Sequence, residues 1–375
     1  MIPPASSLLH LAIGLTLSGL AGSACVAADT PSAGGSTTVT TAAKHIYDLT
    51  AIARWQHADG SWSESVTSAA NDELPNQNFC TGMGLLAFIG AGYDQVTPNI
   101  HRQTVLSGLT WIIAHQHADG SFPGSLIDNA VQSMALSEAY AMTDDPNIRD
   151  AAYRGIQALL ARRVMIPALQ KVRAWPDADG RFSTRANTFC IMAVKSAIGA
   201  QLLAEEPVIE ECAAWLVASW HATTAQPSAP GAQPSAFPAY VDYAHGPAIA
   251  TGSDLHGALT STIFLSKSAL IKPLVASLVP QLLSEKTDAE AHLDVTDRWF
   301  RSFDLFEYGS TEQFLAWGAA CKQSLAAQQV HEGPLKGGWE TQSPSLAPAL
   351  GATSSSMVSV LTLEVFYRYD AFNPK

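Results

Sequence analysis

The sequence predicts an all-α protein: an α/α toroid of about six helical hairpins, with inner and outer helix layers closed into a barrel. Three observations carry that expectation. A turn motif recurs at a fixed interval: "QHADGSW" (Gln56 to Trp62) returns as "QHADGSF" (Gln116 to Phe122) and again as "PDADGRF" (Pro176 to Phe182), so Asp59, Asp119 and Asp179 form a ladder, as do Gly60, Gly120 and Gly180. The helical segments between the turns alternate in character. Finally, the 375 residues are 47% hydrophobic and 14% charged, enough to bury a large core.

Residues 1–28 carry no Lys, Arg, Asp or Glu, and the apolar run Leu8 to Leu20 precedes small residues with Val26 and Ala28 placed for cleavage. This reads as a secretion signal and predicts an exported protein, periplasmic or secreted. Residues 29–40 are small and polar, a flexible leader. The toroid then runs over 41–369, followed by a tail at 370–375.

The hairpins are expected as Ala42 to Gln56 with Phe79 to Gly92, Ile100 to Gln116 with Asn129 to Met142, and Ile148 to Arg163 with Thr188 to Leu203. They continue as Val208 to His221 with Leu255 to Leu270, Pro273 to Glu285 with Thr311 to Ala319, and Ala320 to Val330 with Ser356 to Tyr369. In the first three pairs the second member, such as "FCTGMGLLAFIGAGY", is apolar almost all round and belongs in an interior. The preceding members, such as "NIRDAAYRGIQALLARR", carry an apolar stripe at i, i+3, i+4, i+7 and one wet face. Loop insertions rich in Pro, Ser and Ala are expected near 223–252 and 337–355.

In the repeated turn, Asp-Gly suits a left-handed residue, the Asp carboxylate accepts from nearby backbone N–H groups, and the aromatic folds back over the helix end. Gln56 and Gln116 can reach a neighbouring helix. The ladder is structural rather than a metal site, because matching positions in successive hairpins lie around a rim, too far apart to share one ion.

The "Q…DGSW/F" turns, with "TGMGLLAFIGAGYD", "SMALSEAYAMTDDPNIRDAAYRGIQALL" and "FDLFEYGSTEQFL…VLTLEVFYRY", resemble the squalene-hopene cyclase and protein prenyltransferase superfamily, specifically its exported prenyltransferase/squalene oxidase repeat branch. The resemblance spans about Thr41 to Tyr369 and implies the α/α toroid. It also implies a hydrophobic or extended ligand held in the central cavity. The chemistry of the active families is missing: there is no DxDD acid, no Asp-x-Cys zinc arrangement and no Gly-Cys-Gly-Glu-Gln thioester string. Thr143-Asp144-Asp145-Pro146 reads as a helix start rather than a catalytic acid.

The principal expectation is therefore a ligand-binding toroid without cofactor, its status as an enzyme open. The alternatives are an isoprenoid-type cyclase or transferase with a non-standard acid, and a carbohydrate-active helical barrel, where two carboxylates do the work. Candidate catalytic residues are Asp254, His256, Glu307, Tyr308 and Glu312. Candidate binding residues are Phe306, Tyr308 and Phe314, in an aromatic stretch that includes Trp299, Phe300 and Phe303. No metal is expected, the alternative set being Asp254, His256, Cys80 and Cys190. Glu138, Lys195, Lys267 and Glu364 are expected to form a belt of interhelical ion pairs, with one another or with Arg154 or Arg368, because an unpaired buried charge is costly. A formal charge of -12 argues against nucleic acid as a partner.

Overall fold

In the computed structural model six inner helices, most of them apolar almost all round and one carrying buried charges, form a closed ring. The structure describes residues 49–66, 76–169, 172–205, 207–224, 237–243, 249–251, 253–285, 294–341 and 350–369; the expected signal, leader and tail lie outside them. Among the described residues the inner helices are α2 (Gln77–Gly90), α4 (Leu126–Thr143), α6 (Thr184–Gly199), α8 (Leu255–Phe264), α10 (Val295–Tyr308) and α12 (Ala352–Tyr369). Each packs on the next, and α12 returns to pack on α2. The outer layer is α1 (Thr50–Arg54), α3 (Arg102–Ala114), α5 (Pro146–Ala161), α7 (Val208–Thr224), α9 (Lys272–Ser284) and α11 (Thr311–Gln328). The architecture is an α/α toroid.

The repeated turn does one job in successive hairpins. In "HADGS" the backbone N–H of His57 donates to Ser61 O (2.8 Å) and that of Gly60 to His57 O (2.9 Å), and the pattern recurs at His117 and at Asp177. The Asp59 and Asp119 carboxylates accept from the Ser61 and Ser121 N–H, each at 2.9 Å. Gln56 Nε2 spans from Gly60 O to Thr104 O of α3, and Gln116 Nε2 from Gly120 O to Ala151 O of α5, stitching one hairpin to the next.

The aromatic closes the outer helix: Trp62 Nε1 donates to Ile52 O at 2.7 Å, while the Trp62 N–H is held by Thr81 Oγ1 of α2. In the third hairpin this place is taken by Trp175, which donates to Leu159 O and is held by Asn187, rather than by the expected Phe182. A copy invisible to the motif closes the ring. Gln329 Nε2 donates to Gly337 O, Trp339 Nε1 donates to Leu325 O, and Ser356 holds the Trp339 N–H. The function of the turn survives there without its letters.

Glycine in this turn is required for different reasons in different copies. A Cβ on Gly120 (φ +88°) would sit 2.5 Å from Arg154 O, whereas one on Gly180 (φ +83°) would meet nothing within 4 Å. Gly120→Ala is therefore expected to cost about 3 kcal/mol, strain plus clash, and Gly180→Ala only about 1 kcal/mol. Urea unfolding of the two variants checks the ranking, and equal losses would contradict it.

Three expectations are corrected. Thr311 to Val330 does not supply an inner helix followed by an outer one: α11 is a single outer helix, and the partner of α9 is α10. Helix α10 escapes a reading based on greasiness because Arg298, Arg301 and Asp304 are all buried in it. The two lysines of the expected belt of charges pair outside it. Lys195 and Lys267 both donate to Glu205, in the loop after α6, at 2.8 and 2.6 Å, and Lys267 is half exposed. The insertion near 223–252 holds regular structure: β4 (Tyr240–Asp242) pairs antiparallel with β5 (Ile249–Thr251) and with β3 (Phe182–Ser183). A separate sheet of two strands, β1 (Val164–Met165) with β2 (Arg173–Ala174), precedes the third turn. No helix among the described residues is long and apolar enough to cross a membrane.

Candidate functional site

An inner helix begins with backbone N–H groups that no turn of helix satisfies, and acceptors collect where such ends converge. Here the inner helices begin on one rim. Ser125 and Asp128 form a capping box on α4, and Ser183 caps α6. Asp254 accepts from Gly257 N at 2.9 Å at the start of α8, and Asp294 from Thr296 N at 2.7 Å at the start of α10. At α12 the carboxylate comes from elsewhere in the chain: Glu64 accepts from Gly351 N (2.9 Å) and Thr353 N (3.0 Å). The β-sheet borders this rim, with Thr184 N donating to Ala239 O and Asp254 N to Phe237 O.

Arg185, in the first turn of α6, gathers three carboxylates from two other helices. Its Nε and Nη2 fork onto both oxygens of Asp254 at 3.2 and 3.1 Å, Nη2 also bonds Asp297, and Nη1 lies 3.8 Å from Asp294. Asp254 and Asp297 share one nitrogen, so their nearest oxygens are within about 6 Å, two hydrogen-bond lengths. Burial pushes Asp297 up, and the pull of Arg185 does not cancel it. Burial disfavours the Arg185 charge, but Asp254 and Asp297 outweigh it and hold the guanidinium protonated. Asp297 is also the most open of the group, its side chain 24% exposed against 4% for Asp254 and 6% for Asp294.

Beneath it lies a second buried network. His256 Nδ1 meets Asp304 Oδ2 at 3.0 Å and Nε2 faces Glu285 at 3.5 Å; Asp304 also accepts from Thr260 at 2.9 Å. Arg301 lies 3.1 Å from Glu285, with its guanidinium over the Trp317 ring. Burial alone would lower His256, but the hydrogen bonds its ring donates to Asp304 and Glu285 raise it to about 10. Burial raises Asp304 to about 7 despite His256. The pair thus holds its protons more tightly than either group does in water.

The barrel axis below the rim is filled. Phe79 of α2 meets Phe189 of α6 edge-on at 6.4 Å, although α4 stands between those helices in the ring. Phe189 in turn meets Trp299 and Phe300 of α10 at 6.2 and 5.7 Å, across α8. Contacts between alternate staves are possible only through the centre, so these rings plug it, and all are buried.

The sequence-predicted residues divide between the two ends. Asp254 and His256 belong to the rim and to the network under it. Glu307, Tyr308 and Glu312 lie at the other end, where α10 stops and α11 begins, so "EYGSTEQ" is an exit from an inner helix and not an entrance. There the Tyr308 hydroxyl bonds Thr262 at 2.8 Å, and burial raises both Glu307 and Tyr308. Phe306 and Phe314 pack edge-on at 5.3 Å, and Phe314 packs on Phe366, so they join helices rather than line a cavity.

The alternative metal set is not brought together: Asp254 is bound by Arg185, His256 by Asp304, and no cluster that could hold a metal occurs among the described residues. Cys80 and Cys190, like Cys212 and Cys321, are buried and form no disulfide among the described residues. Asp145 caps α5 by accepting from Asn147 N. Arg185, Asp294, Asp297 and Asp304 escaped sequence reading; "LDVTDRW", an Asp-x-x-Asp at a helix start, was the available signal.

No protein-family model matches the chain. No curated protein matches its sequence. Solved structures do. The GH76A α-1,6-mannanase of Salegentibacter sp. HEL1_6 superposes with a TM-score of 0.59 at 12% identity, covering 88% of this chain and 98% of that one. An inactive variant of the same mannanase, with two consecutive aspartates replaced by asparagine and α-1,6-mannotriose bound, matches at 0.59 and 11% identity over 87% and 98%. A novel α-amylase from Clostridium perfringens matches at 0.57 and 11% over 87% and 97%.

The fold is that of these toroids. The resemblance to the prenyltransferase and squalene-hopene cyclase superfamily is thereby corrected, and with it the reading of a terpenoid-type toroid with a ligand in its central cavity. The Asp-Gly turns and oily staves serve the packing of this ring, as the bonds of Gln56, Gln116 and Trp62 show, so they report packing and not chemistry. The aromatic plug occupies the place where that ligand was expected.

Proposed function

We propose that this chain is a carbohydrate-active toroid that binds an extended oligosaccharide across the inner-helix N-terminal rim and hydrolyses a glycosidic bond there. The observation that carries the reading is the Arg185 cluster, in which Asp297, inclined by burial to keep its proton although Arg185 bonds it, stands beside Asp254 and Asp294 on the same guanidinium. That division of labour between neighbouring acids is what glycoside hydrolysis requires. Its likeness to toroids that include an α-1,6-mannanase and an α-amylase supports the same class. The secretion signal read at residues 1–28 would place this activity outside the cytoplasm, where polymeric glycans are met.

In this scheme Asp297 gives its proton to the glycosidic oxygen as the bond to the anomeric carbon breaks. The second carboxylate, Asp254, under about 6 Å away, closes on that carbon to form a glycosyl ester, and water, giving its proton to Asp297, then releases the sugar, the two-step course that so short a separation fits. The aromatic floor limits the depth of entry, so the saccharide lies along the rim and not down the axis.

The test is a reducing-end assay on α-linked manno- and gluco-oligosaccharides. Asp297→Asn is expected to lower kcat by about 100-fold or more with the fold intact by circular dichroism. Activity of the native protein should decline on the alkaline side, as Asp297 loses its proton. Full activity in Asp297→Asn would remove this residue from the chemistry, and absence of both cleavage and binding across the panel would overturn the reading.

A further inference from the structure

The outer seam where the ring closes carries a second site, independent of the rim. Arg54 Nη2 donates to Lys336 O at 2.7 Å, Trp55 Nε1 donates to Pro334 O at 3.0 Å, and Gly337 lies against Ala51, so the first hairpin is fastened to the last turn. Between them is a cavity of about 360 Å³ lined by Arg54, His331, Lys336 and Gln329, with Thr50 and Val330 among its other walls. No carboxylate among the described residues lines it, although the chain as a whole carries a formal charge of -12. Two permanent cations and an imidazole therefore converge on a concavity in an otherwise acidic protein.

We propose that this seam cavity binds a phosphoryl group, and that occupancy clamps the ring shut. Arginine offers a planar fork with donors to spare once one nitrogen is committed to Lys336 O, lysine adds a point charge, and the two together suit a tetrahedral oxyanion. Because the donors come from opposite sides of the seam, the anion adds a bond between the first and last hairpins that neither side can make alone. A ligand that binds only the closed ring stabilises it by mass action.

The experiment is thermal unfolding and isothermal titration of the full chain with inorganic phosphate, against sodium chloride at matched ionic strength. Phosphate at a hundred-fold excess over its dissociation constant is expected to raise Tm by about 3 °C. Lys336→Glu keeps the backbone carbonyl that Arg54 uses, so it should fold and close normally while losing the phosphate-specific shift. His331→Gln should weaken binding without abolishing it. A shift no larger than that of chloride, or one equal in Lys336→Glu and the native protein, would overturn the proposal. Since Lys336 is not part of the rim, glycan cleavage in Lys336→Glu should be unchanged, which keeps this test separate from that of the hydrolytic reading.

Discussion

Arg185→Met is expected to destabilise the protein by about 3 kcal/mol at pH 7.5, and by about 1 kcal/mol at pH 4.5. Removing one partner from a buried ion cluster costs more than the cluster contributes, because the remaining charges stay in low dielectric without compensation. Three carboxylates would be left facing one another: Asp254, Asp294 and Asp297. Their escape is to bind protons, so in the variant their folded pKa values rise above the unfolded ones. For such groups stability is greatest at low pH and is lost as pH climbs through the folded values. The gap between variant and native protein must therefore widen from pH 4.5 to pH 7.5, as urea unfolding at the two pH values would show. A loss of the same size at both would mean that Arg185 contributes by packing over Phe300 and not by charge.

The second large effect is expected at His256. His256→Leu strips Asp304 of its imidazole, leaving it the Thr260 hydroxyl and the like charge of Glu285 nearby. The loss should be about 3 kcal/mol near neutral pH. The native pair also has a pH signature. His256 is raised to about 10 from 6.5, so its contribution is complete below pH 6.5 and disappears as pH rises through about 10. Asp304, raised to about 7, works in the same direction at lower pH, because the folded state again holds the proton the unfolded chain releases. Native stability should therefore fall from pH 6.5 to pH 10, and His256→Leu should flatten that slope. Parallel slopes in the two proteins would show that the alkaline loss arises elsewhere.

What could be read from the chain, and what could not, follows from the range of the interactions involved. The turn at Gln56 to Trp62 is local: Asp59 bonds a residue two places on, and Trp62 folds over the helix just left. Spacing alone exposes it, and with it the alternation of staves. The fourth copy, around Gln329 and Trp339, keeps those bonds but changes the residues between, so no string comparison finds it. Helix α10 was missed for the opposite reason. Its interior face carries Asp304 and its flank Arg301, and only the fold brings His256 and Glu285 to neutralise them. The site suffers most, because Arg185 is 69 residues from Asp254 and 112 from Asp297, and no local pattern announces their meeting. Asp254 and His256 were legible as a capped helix start; that they face different partners was not.

The account stands on the claim that ligand is taken at the rim where the inner helices begin, above the Phe79–Phe189–Trp299 floor, and not inside the barrel or at its other end. Hydrogen exchange of the Asp297→Asn protein with and without a saturating α-linked tetrasaccharide measures this directly. The expected result is slowed exchange in the first turns of α6, α8 and α10, around Arg185, Gly257 and Arg298, with Asp144, Gln201 and Gly309 at the far end unaffected. Protection confined to the far end, or no protection anywhere under saturating sugar, would contradict it.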